Sequence, residues 1–377
     1  WGKRDMMRIR KVFSIVFWIC ITTALVFTFF ARLFPDAVTG LVISAKETQV
    51  SGLAREYLRI ACLTFLPYAV TTSLIGMLRS IEVVKITLVT TVVALALNIS
   101  LNALLIFGLC GFPALGVSGA AIATLITRIV EMAMVVAYTF CIQKQLAIKP
   151  KNLLEIDRTL ARDYARYGLP VGLTDMQWSL IGILKSAIIG QMGVAFMAAN
   201  SIASSMANLG TMFTFALAGG ACVVVGKAVG KGDYDAAREY SKTIQLMFLM
   251  IGIAMAALVF ALRVPFTRLY GSAKDPEVYS LATTMIAILA VTLIGTSYHA
   301  SCFIGINRGA GDSRFVMTVD MICGWLVVLP LTWLAAFVWK LPLPLVFLCT
   351  RIDQCFKWII AMVRLRGNRW IKNVTRP

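Results

Sequence analysis

Long apolar runs alternate with short polar stretches along the whole chain. A bilayer core is crossed by ~20 residues of helix. Ten runs approach or exceed that length: residues 12–31, 57–78, 86–107, 117–142, 169–192, 198–225, 243–262, 279–306, 315–338 and 343–363. The pattern predicts an all-α polytopic membrane protein. The connecting stretches differ in charge. The start (Lys3, Arg4, Arg8, Arg10, Lys11), the stretch between the fourth and fifth spans (Lys144 to Arg166) and the end (Arg364 to Arg376) are rich in Lys and Arg. Alternate connections are poor in basic residues, or offset them with acidic ones. Basic loops stay on the cytoplasmic side, so both ends of this chain are expected in the cytoplasm of a cell whose inner membrane the protein crosses.

The runs also repeat. Val229-Gly230-Lys231-Gly232-Asp233 has a degraded copy in Trp1-Gly2-Lys3-Arg4-Asp5, an offset of 228 residues. The same offset carries Ser44-Ala45-Lys46 to Ser272-Ala273-Lys274, and Val50, Leu53 and Ala54 to Val278, Leu281 and Ala282. One residue of slippage brings Gly76-Met77-Leu78-Arg79 onto Gly305-Ile306-Asn307-Arg308. Spans one to four thereby match spans seven to ten. Spans five and six have no partner, so two helices are expected ahead of residue 1, giving twelve in all. A repeat of six spans restores the same membrane sense, as in transporters built from parallel repeats. Four regions follow: 1–142, a bundle lacking its first two helices; 143–168, a cytoplasmic linker with an amphipathic helix at 154–167; 169–363, a six-helix bundle; and 364–377, a basic tail.

The chain is 59% hydrophobic, 14% charged and carries a net charge of +18. In a soluble protein that charge would point to nucleic acid; here its placement in loops explains it as orientation, and no nucleic-acid partner is expected. The cysteines are scattered through apolar runs without a C-x-x-C pair, as buried thiols would be. No phosphate loop, zinc spacing or serine–histidine pairing is present, so neither a cofactor nor an enzyme activity is expected.

The third and fourth spans carry Asn98-x-x-x-Asn102-x-x-Leu105-Ile106-Phe107-Gly108, then Gly111-Phe112-Pro113-x-Leu115-Gly116-Val117-x-Gly119-Ala120-Ala121-Ile122-Ala123-Thr124, followed by Arg128 and Glu131. The second half has Gly168-Leu169-Pro170, Ala198-Ala199-Asn200-x-Ile202-Ala203, Val225-Gly226-x-x-x-Gly230-x-Gly232 and Arg308-Gly309-Ala310-Gly311-Asp312-Ser313-Arg314. In composition and order these motifs resemble the multidrug and toxic compound extrusion (MATE) family. The resemblance implies a cation-coupled exporter of small, often cationic, organic molecules. Such proteins often carry an acidic cation-site residue in a first helix that this chain does not include. The small residues from Gly116 to Ala123 also suit close helix contact, and Gly309-Ala310-Gly311-Asp312 reads as a tight turn.

Ionisable residues inside apolar runs are costly and are functional candidates. Asp175 and His299 each lie nine residues from a basic loop residue (Arg166 and Arg308), which places both ~13 Å deep. They are the expected cation-coupling pair, with Asp320 as a shallower third member. The alternative for His299 is a plain helix–helix hydrogen bond. Gln177, Trp178 and Tyr298 neighbour the pair and would line a substrate cavity, joined by Lys185, Asn98, Asn102 and Glu131. Lys185 either meets a carboxylate or reaches outward; it puts cationic solutes in doubt and allows anionic or zwitterionic ones. Arg128 and Glu131 are spaced to pair with each other. Arg351, Asp353 and Lys357 have the spacing of an internally paired set, and Asn98 and Asn102 suit interhelical contact. The reading is a monomeric secondary transporter in a lipid bilayer, exporting small organic solutes in exchange for H⁺ or Na⁺. The alternative is a flippase of lipid-linked sugars or other amphiphiles.

Overall fold

The computed structural model describes residues 5–36, 48–111, 113–143, 157–270 and 275–372. The long elements among them are all helices: α1 (Met6–Leu33), α2 (Gly52–Ser80), α3 (Lys85–Phe107), α4 (Gly116–Ile142), α5 (Arg158–Gly190), α6 (Val194–Lys231), α7 (Tyr234–Leu269), α8 (Pro276–Asn307), α9 (Ser313–Val338), α10 (Leu343–Cys349) and α11 (Asp353–Arg366). Eight of them, α1 to α4 and α6 to α9, are long and apolar enough to cross a membrane. The two expected spans outside that set are the ones interrupted by polar groups. Helix α5 carries Asp175 and Lys185 within its apolar part. The last span is not one helix: it breaks at Thr350, Arg351 and Ile352 into α10 and α11.

The chain divides into two compact units within α5, after Arg162. The expected linker helix at 154–167 lies partly outside the described residues. Its described part does not stand alone, because α5 runs unbroken from Arg158 through Pro170. The start signal is Asp157, whose Oδ1 accepts the backbone N–H of Thr159 at 2.9 Å, as an N-cap side chain does. The Thr159 hydroxyl and N–H hold the Asp157 carboxyl below the usual carboxylate range. Pro170 removes one helical N–H donor; the Thr174 hydroxyl donates to the Pro170 carbonyl at 2.7 Å on the same face.

In the first unit α1 packs on α2, α2 on α4 and α3 on α4. Its core gathers Phe13, Leu74, Met77, Leu78, Ile81 and Val135. Gly119 sits directly against the Leu105 backbone, where a Cβ would collide, so the small residues at the start of α4 serve close helix contact. In the second unit α7 packs on α8, α8 on α10 and α11, and α9 on both α10 and α11. These are the packing pairs of the first unit shifted by the sequence offset. Helix α6 adds contacts with α7 and α8, around a core of Phe196, Met206, Met285, Ile286, Leu289 and Leu293.

The repeat is visible in local chemistry too. Asp5 caps α1 by accepting the N–H of Arg8 at 3.0 Å, and Asp233, 228 residues on, caps α7 by accepting the N–H of Ala236 at 3.0 Å. Gly232, at φ 81°, makes the left-handed turn that ends α6; such a turn costs glycine least. The repeat matches at 1–4, 44–46 and 272–274 lie outside the described residues.

Candidate functional site

A cavity of about 230 Å³ opens inside the second unit, among α5, α6, α8, α9 and the α10–α11 break. Five of its lining side chains are ionisable: Lys185, Asp320, Arg351, Asp353 and Lys357. Sequence position explains how they meet. Trp178 and Lys185 are two turns apart on α5, where seven residues span ~10 Å. Asp320 comes from α9, beside a stretch wound as π-helix over Ile322–Val328. Such windings displace side chains and recur at functional sites.

Lys357 is the hub. It is 3% exposed, and its Nζ lies 2.9 Å from Asp320 Oδ1 and 2.8 Å from Asp353 Oδ2. The Trp178 ring centre is 5.4 Å from the same nitrogen. Gln354 Nε2 donates to Asp353 Oδ2 at 2.8 Å. At the other end the helix break exposes a carbonyl that α11 does not use, and Lys185 Nζ donates to it, the Thr350 carbonyl, at 3.3 Å. Arg351 Nε donates to the Thr292 hydroxyl of α8 at 3.0 Å. The two chains run in opposite directions, with Lys185 level with Thr350 and Trp178 level with Lys357.

Two glycines permit this closeness. A Cβ at Gly295 would strike the Gln354 carbonyl, and one at Gly324 would strike the Ile181 side chain. Helix α8 therefore touches the backbone of α11, and α9 comes up against α5.

The structure brings some of the expected site residues together and holds others apart. Trp178, Lys185 and Asp320 do line this cavity. His299 lies behind it, 2% exposed, within electrostatic reach of Lys357, Asp320 and Asp353. Its Nδ1 is 3.1 Å from the Gly295 carbonyl. A carbonyl only accepts, so Nδ1 carries a proton and Nε2 is left as an acceptor in the neutral ring. The expected pairing of Asp175 with His299 is not formed. Asp175 Oδ1 is 2.9 Å from Arg308 Nη2, and its side chain is 65% exposed. The long guanidinium arm at the end of α8 reaches the carboxylate, which His299, held to its own helix, does not.

Tyr298 turns elsewhere, donating to Gln245 Oε1 at 2.7 Å. Gln177 is buried with neither side-chain polar atom hydrogen-bonded. Asn98, Asn102 and Glu131 belong to the first unit. Asn102 Nδ2 donates to Asn98 Oδ1 at 2.9 Å. Glu131 pairs with Arg128 at 2.8 Å, and that guanidinium lies 4.9 Å from the Tyr68 ring centre. Arg351 leaves the expected internally paired set for Thr292, while Asp353 and Lys357 keep it and extend it to Asp320. Sequence reading assigned those three residues no part in a cavity. The available signal was three charges within seven positions of an otherwise apolar run.

Helices of bilayer length in repeated packing pairs, with charged side chains gathered around an interior cavity, define a multi-pass membrane protein. The chain belongs to the MatE family, whose model matches residues 1–104 and 170–334. Members of this family are transporters rather than enzymes. The uncharacterized transporter YisQ of Bacillus subtilis is 26% identical over 79% of this chain and 64% of its own length. A probable multidrug resistance protein NorM of Agrobacterium fabrum is 27% identical over 89% of this chain and 72% of its own. The chain thus spans about two thirds of these curated relatives. Among solved structures, a MOP superfamily transporter of Pyrococcus furiosus, whose reverse polarity of binding pocket suggests a different function, matches with TM-score 0.87 over 100% of this chain and 82% of that one. At 18% identity that likeness carries the fold alone.

Proposed function

We propose that the protein is a secondary transporter of the cell membrane that exports small organic solutes in exchange for H⁺ or Na⁺. Its solute site is the cavity of the second unit, and its two bundles alternate access to that site. The observation that carries this reading is the group of five ionisable side chains around one cavity inside a unit built largely of bilayer-length helices. Charges at such depth are expensive, and a structural role would be served at lower cost by apolar packing.

The Asp320–Lys357–Asp353 cluster supplies the exchange. Two carboxylates share one ammonium, which leaves one negative charge for a proton, a sodium ion or a cationic group of the solute. Ion and solute group compete for that charge, and competition at one site is what antiport requires. Asp175, placed by sequence as the coupling carboxylate, is matched by Arg308 and has no such surplus.

The test uses the full-length protein in sealed proteoliposomes. Efflux of a solute is measured under an imposed H⁺ gradient and, separately, a Na⁺ gradient. One of the two should drive net movement against the solute gradient. Movement that only ever follows the solute's own gradient would end the antiport reading.

A further inference from the structure

The cavity has two unlike ends, and the one formed by Lys185 and Arg351 is not used by ion exchange. Both are basic side chains, and among the described residues neither has a carboxylate within ion-pair distance; Asp353 acts on both only from further off. Lys185 is held by the Thr350 carbonyl and Arg351 by the Thr292 hydroxyl. Neutral acceptors steer a cation but do not balance its charge. The second end has the opposite imbalance, because Asp320 and Asp353 share the single Lys357. Gln354 is 8% exposed and lines the same cavity, and its Oε1 lacks a hydrogen-bond donor. Level matching along α5 separates the ends by ~10 Å.

Resting on the reading of this cavity as the solute site, we infer that Lys185 and Arg351 form a carboxylate subsite, so that the solute is an organic zwitterion lying end to end in the cavity. Its carboxylate meets Lys185 and Arg351. Its ammonium meets the underbalanced Asp320–Asp353 pair and supplies a donor for Gln354 Oε1. The body between them packs against Ile181, which lines the cavity between Trp178 and Lys185. A purely cationic solute would leave Lys185 and Arg351 unbalanced and be repelled by them. A purely anionic one would bind without opposing the proton or sodium ion at the far end, and exchange would fail.

The probes are para-(aminomethyl)benzoate, benzoate and benzylamine: one zwitterion and its two half-matched analogues on the same ring. Equilibrium binding of each radiolabelled probe is measured with the purified full-length protein in detergent, without any gradient. The zwitterion should bind roughly tenfold or more tighter than either analogue. Lys185→Gln and Arg351→Gln should each weaken the zwitterion and benzoate roughly tenfold to a hundredfold, the worth of a charged hydrogen bond. Neither should weaken benzylamine. Lys185→Arg should restore most of the loss, which separates charge recognition from damage to folding. The inference is overturned if benzylamine binds as tightly as the zwitterion, if no probe binds, or if benzoate affinity is unmoved by both Gln variants. Zwitterion binding that survives alongside failed gradient-driven flux would sink the antiport reading and leave the subsite standing.

Discussion

Replacing Lys357 by Gln tests the hub of the site in the most direct structural way. Its ammonium lies within 2.9 Å of Asp320 and 2.8 Å of Asp353, and the side chains of Lys357 and Asp320 are 3% and 4% exposed. Gln retains much of the length but removes the charge, leaving two buried carboxylates facing each other. Breaking a buried ion pair by removing one partner costs about 3–5 kcal/mol. For a unit of this size that corresponds to a fall of roughly 6–20 °C in melting temperature. The assay is thermal unfolding of the purified protein in detergent, followed by the loss of its monodisperse chromatographic peak. Adding Asp353→Asn to Lys357→Gln should recover more than half of the loss, because one of the two stranded charges is gone. A Lys357→Gln protein that melts with the parent, or a double variant no better than the single, would refute the claim that this lysine balances both carboxylates.

Two further expectations concern the frame around the site. Asp312 is fully buried and is held by Arg364 Nη2 at 2.6 Å and by Lys372; Asp312→Ala should cost about 1–3 kcal/mol and hasten tryptic cleavage around Arg369, read by mass spectrometry. Gly295→Ala should push a methyl into the Gln354 carbonyl, cost about 1–3 kcal/mol by overpacking and weaken para-(aminomethyl)benzoate binding; unchanged binding and melting would show that α8 and α11 have room to separate.

Much of the frame is legible in the sequence because it follows from run length and period. The apolar runs became helices at nearly the expected places, and the Asp5–Asp233 match turned out to mark two equivalent helix caps. The family motifs of α3 and α4 pointed to the right fold. What sequence could not supply was direction across helices. Asp175 and His299 were matched by depth, but depth along one helix says nothing about which long side chain arrives from the next, and Arg308 arrives first. The break at Thr350 was hidden because the apolar run resumes at Trp358 beyond a short polar stretch, so the two helices read as one span. That break exposes the carbonyl that holds Lys185, so missing it also concealed the cationic end of the cavity. The cluster around Lys357 was half visible: the i, i+4 spacing gave Asp353, while Asp320 joins only through the packing of α9 on α11.

The central claim is that the buried Asp320–Lys357–Asp353 cluster, and not the exposed Asp175–Arg308 pair, couples solute movement to an ion. It is tested most directly by gradient-driven efflux of para-(aminomethyl)benzoate from proteoliposomes containing the full-length protein, compared among the parent, Asp320→Asn and Asp175→Asn. The account predicts that Asp320→Asn abolishes uphill movement and weakens para-(aminomethyl)benzoate binding, while benzoate, which meets only Lys185 and Arg351, still binds in detergent. Asp175→Asn should retain uphill movement, because its carboxylate is already matched by Arg308. Uphill efflux that survives Asp320→Asn and disappears with Asp175→Asn would contradict it.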